Sequence, residues 1–478
     1  MSPPRSARRL LSRCVSPLLP CVSPLFIAAT LLCTAPGIGT ANQLYAITQT
    51  TTQTTTETAR FELASAVELA KQRIASFEGA DSLTPLEDAI ANYELAVFRD
   101  SIDLAQPWML LGDAHLQAGN PQAAATAYEQ SIHITRVNLG LFTPEQLDAV
   151  HRQAALFNTV GDHDAATGRE EYALVLQRRK SSAPADLVPA LERMGDWYMQ
   201  VSEPVKARQV YREATVLLER SANADPDLRI PAYLGLAESY LLERFPRKGF
   251  YQQEERDFPW QGPEARMTGW DVSQGMFFGP AHRALLSAEA LLRTRADESK
   301  AAKERLSDVL VRLGDVNLLF EKWSSANAWY AAVFDLWRDS HHASEDADTP
   351  FDAILNKWFE KPTPLHLPLP TQIGRVDEYP PERIDIGHIT LAFSLSSQGK
   401  VGRIETVEIH PSNLRDIRFR RVLRESRYRP RIEQGVAVRS ERVVHRHEFL
   451  YIVKDDADAP VSETEANNTD ESTDEDET

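Results

Sequence analysis

The chain has 478 residues, 42% hydrophobic and 25% charged, which leaves room for two or three folded cores and excludes a miniprotein or a wholly disordered chain. Lys and Arg number 52 against 69 Asp and Glu, a net charge of −17. That balance excludes nucleic acid as the main partner, because phosphate binding needs a basic footprint.

Residues 1–41 have the three-part layout of a secretory signal. Arg5, Arg8, Arg9 and Arg13 come first with no acid among them, the apolar run Leu25–Leu32 follows, and the small residues Gly39-Thr40-Ala41 close it. The apolar run is about half of the ~20 residues a spanning helix needs. Cleavage after Ala41 is expected, with an uncleaved membrane anchor as the alternative. Cys14, Cys21 and Cys33 all leave with the signal, so the mature chain, with 48 basic and 69 acidic residues, has no disulfide, no thiol nucleophile and no cysteine metal site.

Residues 42–58, rich in Thr and Gln, are too polar and repetitive to bury a core and read as a leader linker. From residue 59 apolar residues recur at spacings of three and four, which predicts helices. A repeat underlies them. Trp108, Leu111 and Gly112 precede Gly119, Ala124, Tyr128 and Ser131. Leu191, Met194, Gly195 and Tyr198 precede Ala207, Tyr211 and Ala214, and Leu310, Leu313 and Gly314 precede Ala326, Tyr330 and Val333. Ala89, Tyr93 and Ala96 make the same second-helix triplet upstream, and Gly235, Ala237 and Tyr240 mark a further first helix. Gly161, Ala166 and Ala173 continue the pattern with Glu170 where the aromatic belongs.

Over about 59–338 these residues resemble the tetratricopeptide repeat. The resemblance implies a mostly α fold in which small residues at helix crossings let paired helices nest, and in which each pair needs the next to cover its apolar side. An α-solenoid with a groove for an extended or helical peptide is the expected product. An aromatic and Pro-rich insertion interrupts it at 245–278. Its Trp260 and Trp270 are candidate interface anchors, or else cover the solenoid's side.

Residues 339–382 turn acidic and then proline-rich, reading as a short cap around Phe351–Phe359 and a linker. Alternation at Ile389, Leu391, Phe393 and Leu395 then predicts a strand. A turn at Gln398-Gly399, a strand over about 401–409, a helix around 414–423 and a long strand over about 436–452 follow, giving a small α+β domain, β-β-α-β, at 383–454.

Tyr379-Pro380, Gly387, Gly399, Ser412, Arg427-Tyr428-Arg429-Pro430, Gly435 and Phe449 fall in an order that resembles the C-terminal domain of TonB-type energy transducers over about 379–452. That resemblance implies a Gram-negative periplasm and a sheet edge that accepts an extended partner strand. Those transducers also keep an amino-terminal membrane helix and a long proline-rich span, where this chain has a signal and a helical array.

Residues 383–454 carry 15 basic and 8 acidic residues, with Arg415, Arg418, Arg421, Arg427 and Arg429 concentrated on and after the predicted helix. With Tyr428, these are candidate partner-binding residues. Residues 455–478 carry 11 acids and no base, and predict an unfolded acidic tail. The tail is either solvated or a counter-ion for the arginine face.

The spacing of His445 and His447 can seat a metal, but no third and fourth ligand accompanies them. No phosphate loop or nucleophile elbow is visible. The expectation is therefore a non-catalytic periplasmic adaptor without metal or cofactor, its solenoid holding one protein or peptide, an envelope or outer-membrane protein among the candidates, and its TonB-like domain another. The alternatives are a variant energy transducer anchored by an uncleaved amino terminus and, more remotely, an enzyme using the aromatic insertion as a substrate wall.

Overall fold

The computed structural model describes residues 40–221, 225–246, 274–341, 351–374 and 376–453. Within them, helices pair in sequence: α1 (Thr40–Ala75) with α2 (Leu83–Ala96), α3 (Ala105–Gln117) with α4 (Pro121–Leu139), and α5 (Leu147–Thr159) with α6 (His163–Lys180). The series continues with α7 (Pro184–Gln200) and α8 (Pro204–Arg220), α9 (Pro226–Arg244) and α10 (Gly279–Arg293), and α11 (Lys300–Leu319) and α12 (Trp323–His341). The fold is mostly α, a tetratricopeptide-like solenoid followed by a small α+β region.

Three repeats are built on one crossing. The Tyr128 ring covers Gly112, Tyr211 covers Gly195, and Tyr330 covers Gly314, so closely that a Cβ at those glycines would lie 2.5, 2.5 and 2.2 Å from the ring. The next residue after each glycine is an aspartate that accepts the tyrosine hydroxyl: Tyr128 to Asp113 at 2.8 Å, Tyr211 to Asp196 at 2.5 Å, Tyr330 to Asp315 at 2.9 Å. The turn between paired helices is equally regular. Gly119, Gly161, Ser202 and Glu321 take the left-handed conformation, and the following residue's N–H reaches back to the first helix, as Asn120 does to the His115 carbonyl at 2.9 Å. This is the glycine-favouring helix stop; Ser202 and Glu321 adopt it with a side chain.

The Thr/Gln tract departs from the linker expectation, because α1 runs through it. Ala59, Leu63 and Ala70 are buried with Leu86, Ile90 and Tyr93 of α2, and a helix nucleated by that packing extends backwards at low cost. Thr58 donates to the Thr54 carbonyl at 2.8 Å, satisfying its hydroxyl within the helix.

After α12 comes α13 (Phe351–Phe359), whose Leu355, Trp358 and Phe359 join the core of the last repeat. The proline-rich stretch beyond it is not a free linker. It forms β1 (Thr363–His366), antiparallel to β5 (Arg427–Arg429), and β2 (Gln372–Ile373), parallel to the end of β8 (Ser440–Ile452). The main sheet has the order β2-β8-β3-β4, with β3 (Ile384–Leu395) central and β4 (Val401–His410) at one edge. Helix α14 (Ile417–Glu425) places Phe419 and Leu423 over the sheet against Phe393 and Phe449.

Two strand boundaries shift from expectation. The first strand begins at Ile384, and the long last strand divides into β7 (Val436–Val438) and β8. The cause of the division is a hairpin of β7 with β6 (Arg431–Glu433), turned at Gln434 and Gly435, both at positive φ, the geometry that suits a two-residue turn.

Candidate functional site: the first-helix surface and the docked sheet

Polar groups cross from each repeat to the next, most often between a second helix and the first helix that follows it, as Arg193 of α7 meets Glu170 of α6 and Tyr233 of α9 meets Glu219 of α8. Arg152 of α5 meets Asp113 of the preceding repeat at 2.9 Å, so the carboxylate that takes the tyrosine hydroxyl is shared with the next helix pair. On α7, Glu192 is pushed up to about 7 by burial and by the neighbouring Asp196. Its Oε1 is enclosed with no hydrogen-bond partner. Glu238 of α9 adds a third carboxylate near Tyr211, whose phenol is raised by burial and by its bond to Asp196. A cavity of about 170 Å³ opens further along, between Glu238, Leu241 and Phe245 of the α9 end and Arg312, Asp315 and Leu319 of α11.

In the α5–α6 repeat the crossing is different. Ala154 and Ala155 occupy the Gly and Asp positions, and Glu170 the aromatic one. The Glu170 side chain is 6% exposed and receives Arg193 twice, Nε to Oε2 at 3.0 Å and Nη2 to Oε1 at 2.6 Å, with His151 Nδ1 at 3.4 Å. Burial alone would raise this carboxyl, but hydrogen bonds from His151 and Arg193 outweigh it and hold the group down at about 2. A cavity of about 250 Å³ lies beside it. Asp162, in the turn before α6, accepts the Ala165 N–H at 3.0 Å and caps the helix.

The C-terminal domain docks where a further repeat would stack. Arg429, 8% exposed, meets Asp315 at 3.4 Å, the role that Arg152 plays for Asp113. Asp315 is raised by burial against the opposing pull of Arg429 and of the Tyr330 hydroxyl. Arg427 at 3.2 Å and Lys400 at 3.8 Å both reach Glu321. Ile432 and Ala437 of the β6–β7 hairpin are buried in the core that holds Tyr330, Trp337 and Phe359. Gly399, at φ +71°, lies against the Tyr428 carbonyl and Leu318 so closely that no side chain fits.

This placement corrects three expected partner-binding residues. Arg427 and Arg429 face the solenoid, and Tyr428 is 2% exposed and packs on Phe393 with ring centroids 5.3 Å apart. They join the two halves of the chain and are not presented to an outside partner. Arg415, Arg418 and Arg421 are exposed on or just before α14. The structure brings together Gly112 with Tyr128, Gly195 with Tyr211 and Gly314 with Tyr330, and buries Ala124, Ala207 and Ala326. His447 Nε2 lies 2.7 Å from the Pro370 carbonyl, and no cluster fit for a metal ion occurs among the described residues. Trp260, Trp270, residues 1–39 and the acidic tail lie outside the described residues.

Sequence reasoning missed the aspartates. Their signal was present, since Gly112-Asp113, Gly195-Asp196 and Gly314-Asp315 repeat one dipeptide at one helix position.

Among solved structures the chain is similar to a kinesin light chain of Podosopora anserina with nearly identical TPR-like repeats, at 16% identity over 51% of this chain and 98% of that one, TM-score 0.36. It is similar also to the C-terminal part of a TPR repeat-containing protein of Cytophaga hutchinsonii, at 14% identity, 63% and 98% coverage and TM-score 0.35. A third is pilF of Pseudomonas aeruginosa, at 12% identity, 53% and 91% coverage and TM-score 0.27. No family model matches the chain, and no curated protein does either. The tetratricopeptide-like assignment rests on the helix pairing and the Gly–Tyr crossings described above.

Proposed function

We propose that the protein is a non-catalytic adaptor of the bacterial periplasm, in which the first-helix side of the solenoid holds one protein or peptide and the TonB-like C-terminal domain holds another. The observation that carries this reading is the docking itself. Arg429 and Arg427, with the β6–β7 hairpin, tie the sheet to the last repeat, so two binding modules travel as one body and each raises the local concentration of the other's partner.

Sheet topology supports the second module. Among the described residues β2 pairs only with Leu450 and Tyr451 of the 13-residue β8, leaving the outer edge of Ser440–Phe449 without a strand partner. Such an edge accepts an extended segment through backbone hydrogen bonds, and Val444, 56% exposed, stands on it. The signal-like first 41 residues and the TonB-like resemblance support the periplasmic part of this reading.

Photo-crosslinking in intact cells tests the reading. A crosslinker at Glu192 and another at Val444 are expected to capture different proteins. Capture of one protein by both, or of none by either, refutes the two-module scheme.

A further inference from the structure

We infer that the outward face of α14 is the binding surface for the chain's own acidic segment, residues 455–478, which holds it in competition with acidic partner segments. Residues 415–425 carry five arginines against Asp416 and Glu425. The helix turns Phe419 and Leu423 into the sheet core. Arg420 is held by Asp416 at 3.6 Å and by the Ile404 carbonyl at 3.1 Å. Arg415, Arg421 and Arg424 are exposed, and among the described residues no carboxylate lies within ion-pair distance of them. Arg418, Arg421 and Arg424 follow one another at a spacing of three, where like charges on a helix repel, so an anion laid along them relieves that repulsion. Ile417, 67% exposed on the same side, marks the face as uncovered by any other described element.

Charge, position and length select the occupant. Residues 455–478 carry 11 acids and no base, and they follow directly on a domain with 15 basic and 8 acidic residues. They leave the end of β8, and α14 crosses that strand close by: the Phe419 and Phe449 ring centroids are 5.0 Å apart. Phe449 is four residues before Val453, about 14 Å along a strand. A coil of 24 residues spans about 25–30 Å, whereas the nine residues of α14 extend about 14 Å, so the whole face lies within reach. A second copy of the chain would instead bring one cationic face against another. A tether of this length sets an effective concentration on the order of 1 mM, so a segment with a dissociation constant of about 0.1 mM fills the face about nine-tenths of the time and weakens an acidic competitor roughly tenfold.

Competition with partners rests on the adaptor reading, whereas the docking of the segment does not. The test begins with Arg421→Lys in the full chain, which keeps the charge and adds an amine that a water-soluble carbodiimide couples to a neighbouring carboxylate. Arg446→Lys is the control: its position is exposed, about 24 Å along β8 from Val453, and on the sheet face opposite to Phe449, since strand residues alternate. Mass spectrometry is expected to find links to residues 455–478 in excess from position 421, and the excess should vanish at 1 M salt, where the screening length falls to about 3 Å. Mixing chains of two isotopic compositions separates links within a chain from links between chains. A fluorescein-labelled deca-glutamate peptide should bind a chain ending at Lys454 roughly tenfold more tightly than the full chain, and Arg421→Ala with Arg424→Ala should abolish that binding. Equal linking from positions 421 and 446, links mainly between chains, or equal peptide affinity with and without residues 455–478 overturns the proposal. None of these results depends on whether crosslinks form at Glu192 and Val444.

Discussion

Removing the Arg429 side chain should separate the two halves of the protein without unfolding either. In Arg429→Met the guanidinium is lost from a position 8% exposed, and Asp315, 3.4 Å away, keeps the Tyr330 hydroxyl and the weaker pull of Arg312. Taking one member from a buried ion pair costs about 3–5 kcal/mol, because the remaining charge is uncompensated. The sheet's own core, Phe393, Phe419, Tyr428 and Phe449 among others, contains neither residue, so the loss falls on docking. Limited proteolysis should show faster cutting near β1 and β5, and urea titration should resolve an earlier transition for the C-terminal domain. Asp315→Asn in the Arg429→Met background should recover part of the loss, since the unpaired charge disappears. A single-variant loss below about 1 kcal/mol, or no recovery in the double variant, would show that the pair behaves as an ordinary surface ion pair and refute the argument.

Other outcomes follow from the same contacts. Gly195→Ala sets a Cβ 2.5 Å from the Tyr211 ring and should cost about 1–3 kcal/mol, whereas Gly168→Ala in α6, with nothing within 4 Å, should gain up to about 1 kcal/mol; chemical denaturation compares them. His366 is lowered to about 4 by burial first and then by Arg244 and Arg427. Its neutral form is the folded one, so stability should be full above pH 6.5, fall by on the order of 3 kcal/mol towards pH 4 and level off below. His366→Gln should remove that slope. Glu170, held at about 2, has the opposite character and acts in a different window: its contribution is full above about pH 4.5 and is lost as pH falls towards 2. Amino-terminal sequencing of the mature protein should begin at Asn42; a Met1 or Ser2 terminus in the inner membrane would favour the anchored transducer.

Much of the solenoid was legible because its physics is local and repeated. A glycine, then an aromatic sixteen residues later, recurs at Gly112 and Tyr128, Gly195 and Tyr211, and Gly314 and Tyr330, and one helix crossing explains all three. The central strands were legible from alternation at Ile389–Leu395, as was the cap at Phe351–Phe359. What stayed hidden is long-range. Arg429 and Asp315 are 114 positions apart, and β1 owes its strand state to β5, so neither carries a local signal. Arg427, Tyr428 and Arg429 looked like a surface motif because arginine clusters usually are solvated; only the docking geometry turns them inward. Glu170 was visible as a departure from the repeat, but its meaning depends on Arg193, 23 residues further on.

The central claim is that one chain carries two partners at once. Proteins captured at Glu192 and at Val444 should be purified and mixed with the mature protein, and the mixture examined by sedimentation velocity. A single ternary complex of one copy each is predicted. Two binary complexes that never coexist on one chain would contradict it.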